Sequence, residues 1–349
     1  MKLGQIRNKI ISLIMILLFL GVCLAGARKI KTDASKSDAS FFAMSTYVSL
    51  TAYGKTGDQA VLEAQEKVGE LEKLWSTTDE KSEIFALNHS NGAPVDVSSE
   101  TGDLLRFALK MAKETEGALE PTIYPVLLSW GFTTGENRVP QEEELELLLQ
   151  NVGYDRVFME GNSVTLPDGM QLDFGAVGKG YTGDVLVELF KEKGVKSALL
   201  DLGGNIQVIG TKPDGQDWRV GLRNPYGEGY LGVLEVCDLA IVTSGNYERY
   251  FVGEDGKTYG HIIDPADGYP AESGIASVTI LAKEGKMCDA LSTALFVMGP
   301  DGAVSYWRRH RDFDMILITG EGEICLTEGI KDHFSLNKGY EDWEVSFIK

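Results

Sequence analysis

Apolar side chains recur at Val61, Ala64, Val68, Leu71 and Trp75 in a 3-4-3-4 rhythm. That spacing places one buried stripe along a helix running from about Asp58 to Trp75. A second helix is expected over 100–116, with Leu104, Ala108 and Met111 inward and Gly117 as its stop. Pro140 opens a short acidic helix through Gln150. Beyond it the rhythm changes. Apolar runs at 197–202, 205–209, 232–236, 240–243, 277–281 and 315–319 alternate with glycine turns and predict strands, while helices are expected over 179–193, 287–298 and 301–310. Helices and hairpin-type strands mix without regular βαβ alternation. The pattern therefore predicts an α+β fold with mixed or antiparallel sheets and packed helices, not a doubly wound sheet.

The first residues stand apart. Lys2, Arg7 and Lys9 precede an uncharged run from Ile10 to Ala27, which ends in the small triplet Ala25-Gly26-Ala27. Residues 1–27 read as a secretory signal peptide. They read equally as an N-terminal membrane anchor, because 18 residues is the lower edge of what spans a bilayer. Cys23 offers a lipoprotein cleavage reading, opposed by the bulk of Val22 just before it. Either way the body is expected outside the cytosol, at the extracytoplasmic face of the cell membrane. Residues 28–40 are small and polar and predict a flexible tether, with a single folded domain over 41–349.

The formal charge is −19, and the first 31 residues hold six basic residues and no acid, so the exported body is more acidic still. Such a body repels nucleic acid, and it binds an anionic ligand only through a local cation or a ring of backbone N–H groups. Cys237, Cys288 and Cys325 lie in apolar contexts without CxxC spacing and are expected to be buried free thiols.

Three segments could carry chemistry. In Asp173-Phe174-Gly175-Ala176-Val177-Gly178-Lys179-Gly180, the glycines allow close backbone approach, the following helix offers free N–H groups, and Lys179 adds a charge. The spacing is neither that of a Walker loop nor GxGxxG, and a strand-to-helix turn with a solvated lysine is the alternative. In Cys288-Asp289-Ala290-Leu291-Ser292-Thr293, Asp289 and Thr293 share one helix face. They are hard oxygen donors of the kind Mg²⁺ takes, or else a helix cap and a partly buried hydroxyl. His261, one of four histidines, precedes a turn built on Asp264-Pro265 and Asp267-Gly268. It is placed to accept a hydroxyl proton, or to satisfy the turn's backbone.

In order along the chain, Met44-Ser45-Thr46, Glu120-Pro121-Thr122, the Asp173–Gly180 segment, Asp201-Leu202-Gly203-Gly204-Asn205, Thr243-Ser244-Gly245, His261-Ile262-Ile263-Asp264-Pro265 and Cys288–Ala294 resemble the FAD:protein FMN transferases, the ApbE family. The likeness covers about residues 41–345. Ser45 departs from the family's Met-Gly-Thr, and Gly178 stands where alanine is commoner. The resemblance implies a T-fold-like architecture, FAD as co-substrate, and Mg²⁺ on the diphosphate. It also implies attack by an acceptor threonine hydroxyl on the FMN phosphorus, with AMP leaving. Carried over by position, Asp289, Thr293 and the Ala176 carbonyl would hold Mg²⁺. Met44, Trp75, Glu120, Pro121, Thr122, Asp173, Lys179 and Ile263 would line the FAD site, and His261 would be the base. The implied partner is a threonine-bearing subunit of an exported flavin-linked electron-transfer system. Two other outcomes remain: FAD pyrophosphatase activity at the same metal site, and a non-catalytic surface flavin-binding protein.

Overall fold

The computed structural model describes residues 35–340 and 342–349, so the signal or anchor reading of 1–27, with Cys23, lies outside the described residues. Its frame is a nine-stranded sheet whose strands lie side by side in chain order. They are β1 (Lys36–Ala43), β2 (Thr46–Tyr53), β3 (Ser197–Leu202), β4 (Asn205–Ile209), β5 (Ala240–Ser244), β6 (Ile275–Ala282), β7 (Asp314–Thr319), β8 (Ile324–Thr327) and β9 (Val345–Ile348). Neighbours pair antiparallel except β8 and β9, which are parallel. This is the α+β arrangement that the pattern predicts.

Strand β1 corrects the expected tether, because pairing with β2 begins at Lys36↔Tyr53 and the folded body therefore starts five residues before Phe41. Ser37, Ala39, Phe41 and Ala43 face inward to differing degrees while Lys36, Asp38, Ser40 and Phe42 are exposed. Small residues at 37, 39 and 43, and an outward Phe42 beside the inward Phe41, leave a period of two that is faint in the sequence.

The long connection between β2 and β3 carries six helices: α1 (Gly57–Trp75), α2 (Glu83–Asn88), α3 (Ser99–Glu114), α4 (Tyr124–Trp130), α5 (Glu142–Leu149) and α6 (Gly178–Glu192). The stripe on α1 is buried as its spacing requires: Val61, Ala64 and Val68 pack with Leu186 and Phe190 of α6 on Leu50, Leu200 and Leu202. Leu71 and Trp75 continue into a second core with Leu104 and Ala108 of α3. The helix α7 (Gly285–His310) joins β6 to β7. It comprises the two helices expected over 287–298 and 301–310, separated by a break where Gly299 adopts φ 75° and ψ 176° before Pro300. On the opposite sheet face, Val208, Ile241, Leu281 and Ile316 are covered by a small sheet of strands Trp218–Arg223, Tyr230–Val236 and Phe334–Leu336. Strand β6, sandwiched between layers, is buried at seven of eight positions.

The three described cysteines are free thiols; Cys288 is buried and Cys325 partly so, but Cys237 is exposed. It follows a strand in which Leu234 and Val236 point inward, so alternation turns residue 237 outward. Among the described residues no helix is long and apolar enough to cross a membrane.

Candidate active site

Two tight hairpins form one end of the site. Met44 and Ser45, at φ 50° and 57°, join β1 to β2, and Gly203 and Gly204, at φ 65° and 87°, join β3 to β4. Two-residue turns with both central residues left-handed match the twist of antiparallel strands. The tips touch, since a Cβ on Gly203 would lie 1.9 Å from Oγ1 of Thr46. The Met44 N–H donates to Oε1 of Glu72 on α1, at 2.5 Å.

Next to these tips opens a cleft of about 520 Å³. Of the residues singled out in the sequence, Met44, Trp75, Glu120, Pro121, Asp173, Ala176, Lys179, His261, Ile263 and Thr293 line it. Trp75 donates its indole N–H to Oγ1 of Thr101 at 3.1 Å and packs edge-on against Phe174 and Tyr181. The ring is thereby held rigid in the wall. Thr122 and Asp289 are not among the lining residues. Thr122 is fully buried and donates its hydroxyl to Oε1 of Glu120 at 2.7 Å, while its oxygen accepts the Gly153 N–H at 2.8 Å. The other oxygen of Glu120 accepts the Tyr154 N–H at 3.0 Å. Glu120 thus spends its carboxylate on fixing the 120–122 turn, and burial nevertheless pushes its pKa up.

The glycine segment behaves differently from the open anion cradle that its pattern suggests. The N–H of Gly178 bonds the Phe174 carbonyl at 2.7 Å, that of Gly175 bonds Oδ1 of Asp173 at 2.8 Å, and that of Gly180 bonds Oδ2 of Asp289 at 2.8 Å. The protein's own carboxylate occupies the start of α6, where the helix dipole favours negative charge. Lys179 remains in the cleft wall with its ammonium 3.3 Å from the Gly175 carbonyl.

Asp289 does not cap its own helix. Asp184 of α6 takes that place, its two oxygens accepting the N–H groups of Gly285 at 2.5 Å and Lys286 at 3.0 Å. Asp289 is 4% exposed, and Thr293, one turn on, reaches the cleft. Only one acceptor position of the Asp289 carboxylate is engaged by Gly180, and a carboxylate has about four. Among the described residues no three His, Cys, Asp or Glu side chains cluster as a metal site. A donor set of one carboxylate, one hydroxyl and the carbonyl of the cleft-lining Ala176 is hard and sparse, which fits Mg²⁺ completed by water and a phosphate ligand.

His261 follows the hairpin of strands Tyr250–Val252 and Thr258–Gly260. Its backbone N–H and its ring Nδ1 both lie 3.1 Å from the carbonyl oxygen of Arg249. A carbonyl oxygen only accepts, so Nδ1 carries the proton and Nε2 is the basic nitrogen. The turn that follows needs nothing from His261: the side chains of Asp264 and Asp267 accept the N–H groups of Ala266 and Tyr269, each at 2.9 Å. Burial, with the charges of Arg249 and Lys179 adding to it, pushes the His261 pKa down to about 4. The imidazole is therefore neutral at pH 7. Burial raises the pKa of Asp173 despite the opposing charges of Lys179 and Arg249.

Sequence reasoning did not single out Arg249. The carbonyl of Arg249 aims the histidine, its guanidinium donates to the Phe132 carbonyl, and it lines the cleft. Phe132, Thr133 and Glu72 also line the cleft without having been singled out. Glu72 flanks the apolar stripe of α1, and nothing in its own neighbourhood marks it.

Residues 44–317 match the ApbE family. The FAD:protein FMN transferase of Treponema pallidum is 33% identical over 342 residues, covering 91% of this chain and 93% of that protein. A crystal structure of the ApbE protein from Thermotoga maritima superposes with a TM-score of 0.81 at 32% identity, over 86% of this chain and 99% of that one. The apo flavinyl transferase ApbE of Pseudomonas stutzeri gives a TM-score of 0.78 at 26% identity, over 87% and 98%.

Proposed function

The chain belongs to the ApbE family, and we propose that it is a FAD:protein FMN transferase that places the FMN half of FAD on a threonine hydroxyl of an exported acceptor, with release of AMP. The observation that carries this reading is a neutral imidazole, held through Nδ1 with Nε2 unengaged, in one cleft with Lys179 and Thr293. A cleft of this volume suits a cofactor-sized ligand.

In the proposed reaction the threonine oxygen bonds to the FMN phosphorus while the bond from that phosphorus to the AMP oxygen breaks. The hydroxyl proton passes to Nε2 of His261, a transfer that typically contributes about 10²–10⁴-fold. Lys179 and Arg249 offset negative charge on the phosphate oxygens. Trp75, Pro121 and Ile263 provide apolar wall for the flavin, and Met44 borders it at the hairpin tips. Asp289, Thr293 and the Ala176 carbonyl would hold Mg²⁺, which supplies Lewis-acid neutralisation of the diphosphate when bound. This is how a strongly acidic body can take an anionic dinucleotide.

Residues 1–27 carry the chain to the extracytoplasmic face of the membrane, where its acceptors are subunits of flavin-linked electron-transfer systems. Mass spectrometry of the mature N-terminus distinguishes a cleaved, a lipidated and a retained segment.

The test of function is incubation with FAD, Mg²⁺ and a purified threonine-bearing acceptor. Flavin fluorescence should stay with the denatured acceptor while AMP appears in equal amount, and excess chelator should stop both. Free FMN with an unlabelled acceptor would make the protein a FAD pyrophosphatase. Undiminished reaction in chelator would remove the metal.

A further inference from the structure

Helices α6 and α7 start side by side, and each start is held by an aspartate of the other helix. Asp289 of α7 accepts the Gly180 N–H of α6 at 2.8 Å. Asp184 of α6 accepts the Gly285 and Lys286 N–H groups of α7 at 2.5 and 3.0 Å. The contact has no room for side chains. A Cβ on Gly180 would lie 2.3 Å from the Gly285 carbonyl oxygen, and one on Gly285 would lie 1.7 Å from Nε2 of Gln207. That same Nε2 donates to the Gly180 carbonyl at 3.1 Å, and a Cβ on Gly183 would strike it at 2.2 Å.

We propose that Asp184 is a positioning residue for the Mg²⁺ ligands, setting where Asp289 and Thr293 of α7 stand relative to Ala176 at the head of α6. The inference rests on the Mg²⁺ reading of the preceding section. Asp184 makes no use of itself in that reading, and it is not an ordinary local cap. The residue next to α7 is Glu284, whose side chain makes no capping bond. The cap comes instead from a residue 101 positions away. Burial acts against that carboxylate and raises its pKa to about 6, so a charged group is kept where a neutral local serine or asparagine satisfies most helices.

The geometry explains what the longer arrangement does. A local cap steadies one helix. A cap reaching across from α6 ties the first turn of α7 to the helix whose preceding turn carries Ala176. Asp289 lies four residues beyond Gly285 and Thr293 eight, both on this tied stretch. With Gly180, Gly183, Gly285 and Gln207 in close contact, sliding is blocked by backbone, and the two charge-assisted bonds of Asp184 set the register. Groups bonded directly to metal ligands typically affect metal affinity by about 10–100-fold, and Asp184, acting one bond further back through Gly285 and Lys286, is expected within that range.

The experiment measures Mg²⁺ binding to the full exported body by calorimetry in the presence of FAD, for wild type and Asp184→Asn, alongside thermal unfolding and turnover over a Mg²⁺ series. The amide keeps the shape and one acceptor but loses the charge and the second acceptor. The expected result is a Mg²⁺ Kd weakened about 10–100-fold, with turnover recovered at saturating Mg²⁺. Asp184→Ser, smaller and neutral, is the second variant should the amide not fold. A lower melting temperature with Mg²⁺ affinity within twofold of wild type in the folded variant would reduce Asp184 to a stabilising cap and overturn the inference. Wild type that binds no Mg²⁺ would overturn this inference and the metal reading together, which separates the two failures.

Discussion

His261 and Arg249 are joined twice at a single atom: the carbonyl oxygen of Arg249 accepts both the main-chain N–H of His261 and its ring Nδ1–H, each at 3.1 Å. The backbone bond fixes where the histidine sits, and the ring bond fixes which way it faces and which tautomer it holds. A single backbone carbonyl, just outside the hairpin of strands Tyr250–Val252 and Thr258–Gly260, therefore leaves one imidazole nitrogen free to accept a proton. That relationship makes the role of His261 testable apart from binding.

Replacing His261 with alanine should lower kcat for FMN transfer by about 10²–10⁴-fold, the usual contribution of one general base. The KM for FAD should change less than fivefold, because the wall formed by Trp75, Pro121 and Ile263 is untouched. A variant with undiminished kcat would remove His261 from the proton-accepting role. Steady-state kinetics on a labelled acceptor supplies both numbers.

The depressed pKa of His261 predicts the pH profile. A base that protonates near pH 4 stays competent down to about pH 5, so the acidic limb of kcat/KM should lie near 4 and not near 6.5. Stability follows the same shift with a definite sign. The unfolded chain takes up the proton first, so the His261 contribution is complete above about pH 6.5 and is lost as pH falls toward 4. A kinetic limb at 6.5 in the wild type, absent from a variant lacking His261, would show that the imidazole is not desolvated in the working enzyme.

Gly180→Ala should damage the site more than its surface. The added Cβ meets the Gly285 carbonyl oxygen at 2.3 Å and Cβ of Asp289 at 2.7 Å, neither of which is a flexible side-chain end. Overpacking of this kind costs about 1–3 kcal/mol. Here it also pushes Asp289 from the Gly180 N–H. Loss of both thermal stability and FMN transfer is expected. Asp289→Ala should abolish transfer while leaving the melting temperature within a few degrees. A Gly180→Ala enzyme with full activity would show that the two helix starts can separate without consequence.

The same contrast explains what could be read from the chain alone. The stripe Val61, Ala64, Val68, Leu71, Trp75 is long, regular and apolar, so α1 is legible almost to the residue. Strand β1 is not, because its inward positions Ser37, Ala39 and Ala43 are small and the one large inward residue, Phe41, is followed by an exposed Phe42 that breaks the alternation. In the site, the glycine segment and the Asp289–Thr293 pair announce themselves by unusual local composition. The partners that give them their geometry do not. Asp184 meets Gly285 across 101 positions, and Arg249 acts on His261 through a backbone carbonyl that carries no residue identity. Even at the start of α6, where free N–H groups are expected, that of Gly180 is taken by an acid 109 positions on. Local pattern marks which atoms can do chemistry, while the pairing that orients them is set by contacts between segments far apart in the chain.

Ser45 offers a test in the direction of gain. It sits at φ 57° in the tip between β1 and β2, where the ApbE pattern has glycine, and it is exposed, with its backbone in the left-handed region. That conformation costs an L-residue about 1–2 kcal/mol, whereas glycine adds about 0.4–1 kcal/mol of freedom to the unfolded chain, so Ser45→Gly should stabilise by about 0.5–1 kcal/mol. The neighbouring tip should respond in the opposite way. Gly203→Ala combines φ 65° with a Cβ 1.9 Å from Oγ1 of Thr46, and it should destabilise by about 1–3 kcal/mol as the two hairpins are forced apart. Because Met44, Ser45 and Thr46 all border the cleft, Gly203→Ala, which displaces the whole tip, should also weaken FAD binding, while Ser45→Gly removes only an exposed hydroxyl and should change it less. Denaturant melts and flavin fluorescence titrations on the two variants measure these effects. Equal stability of Ser45→Gly and wild type would mean that the left-handed turn is met without strain.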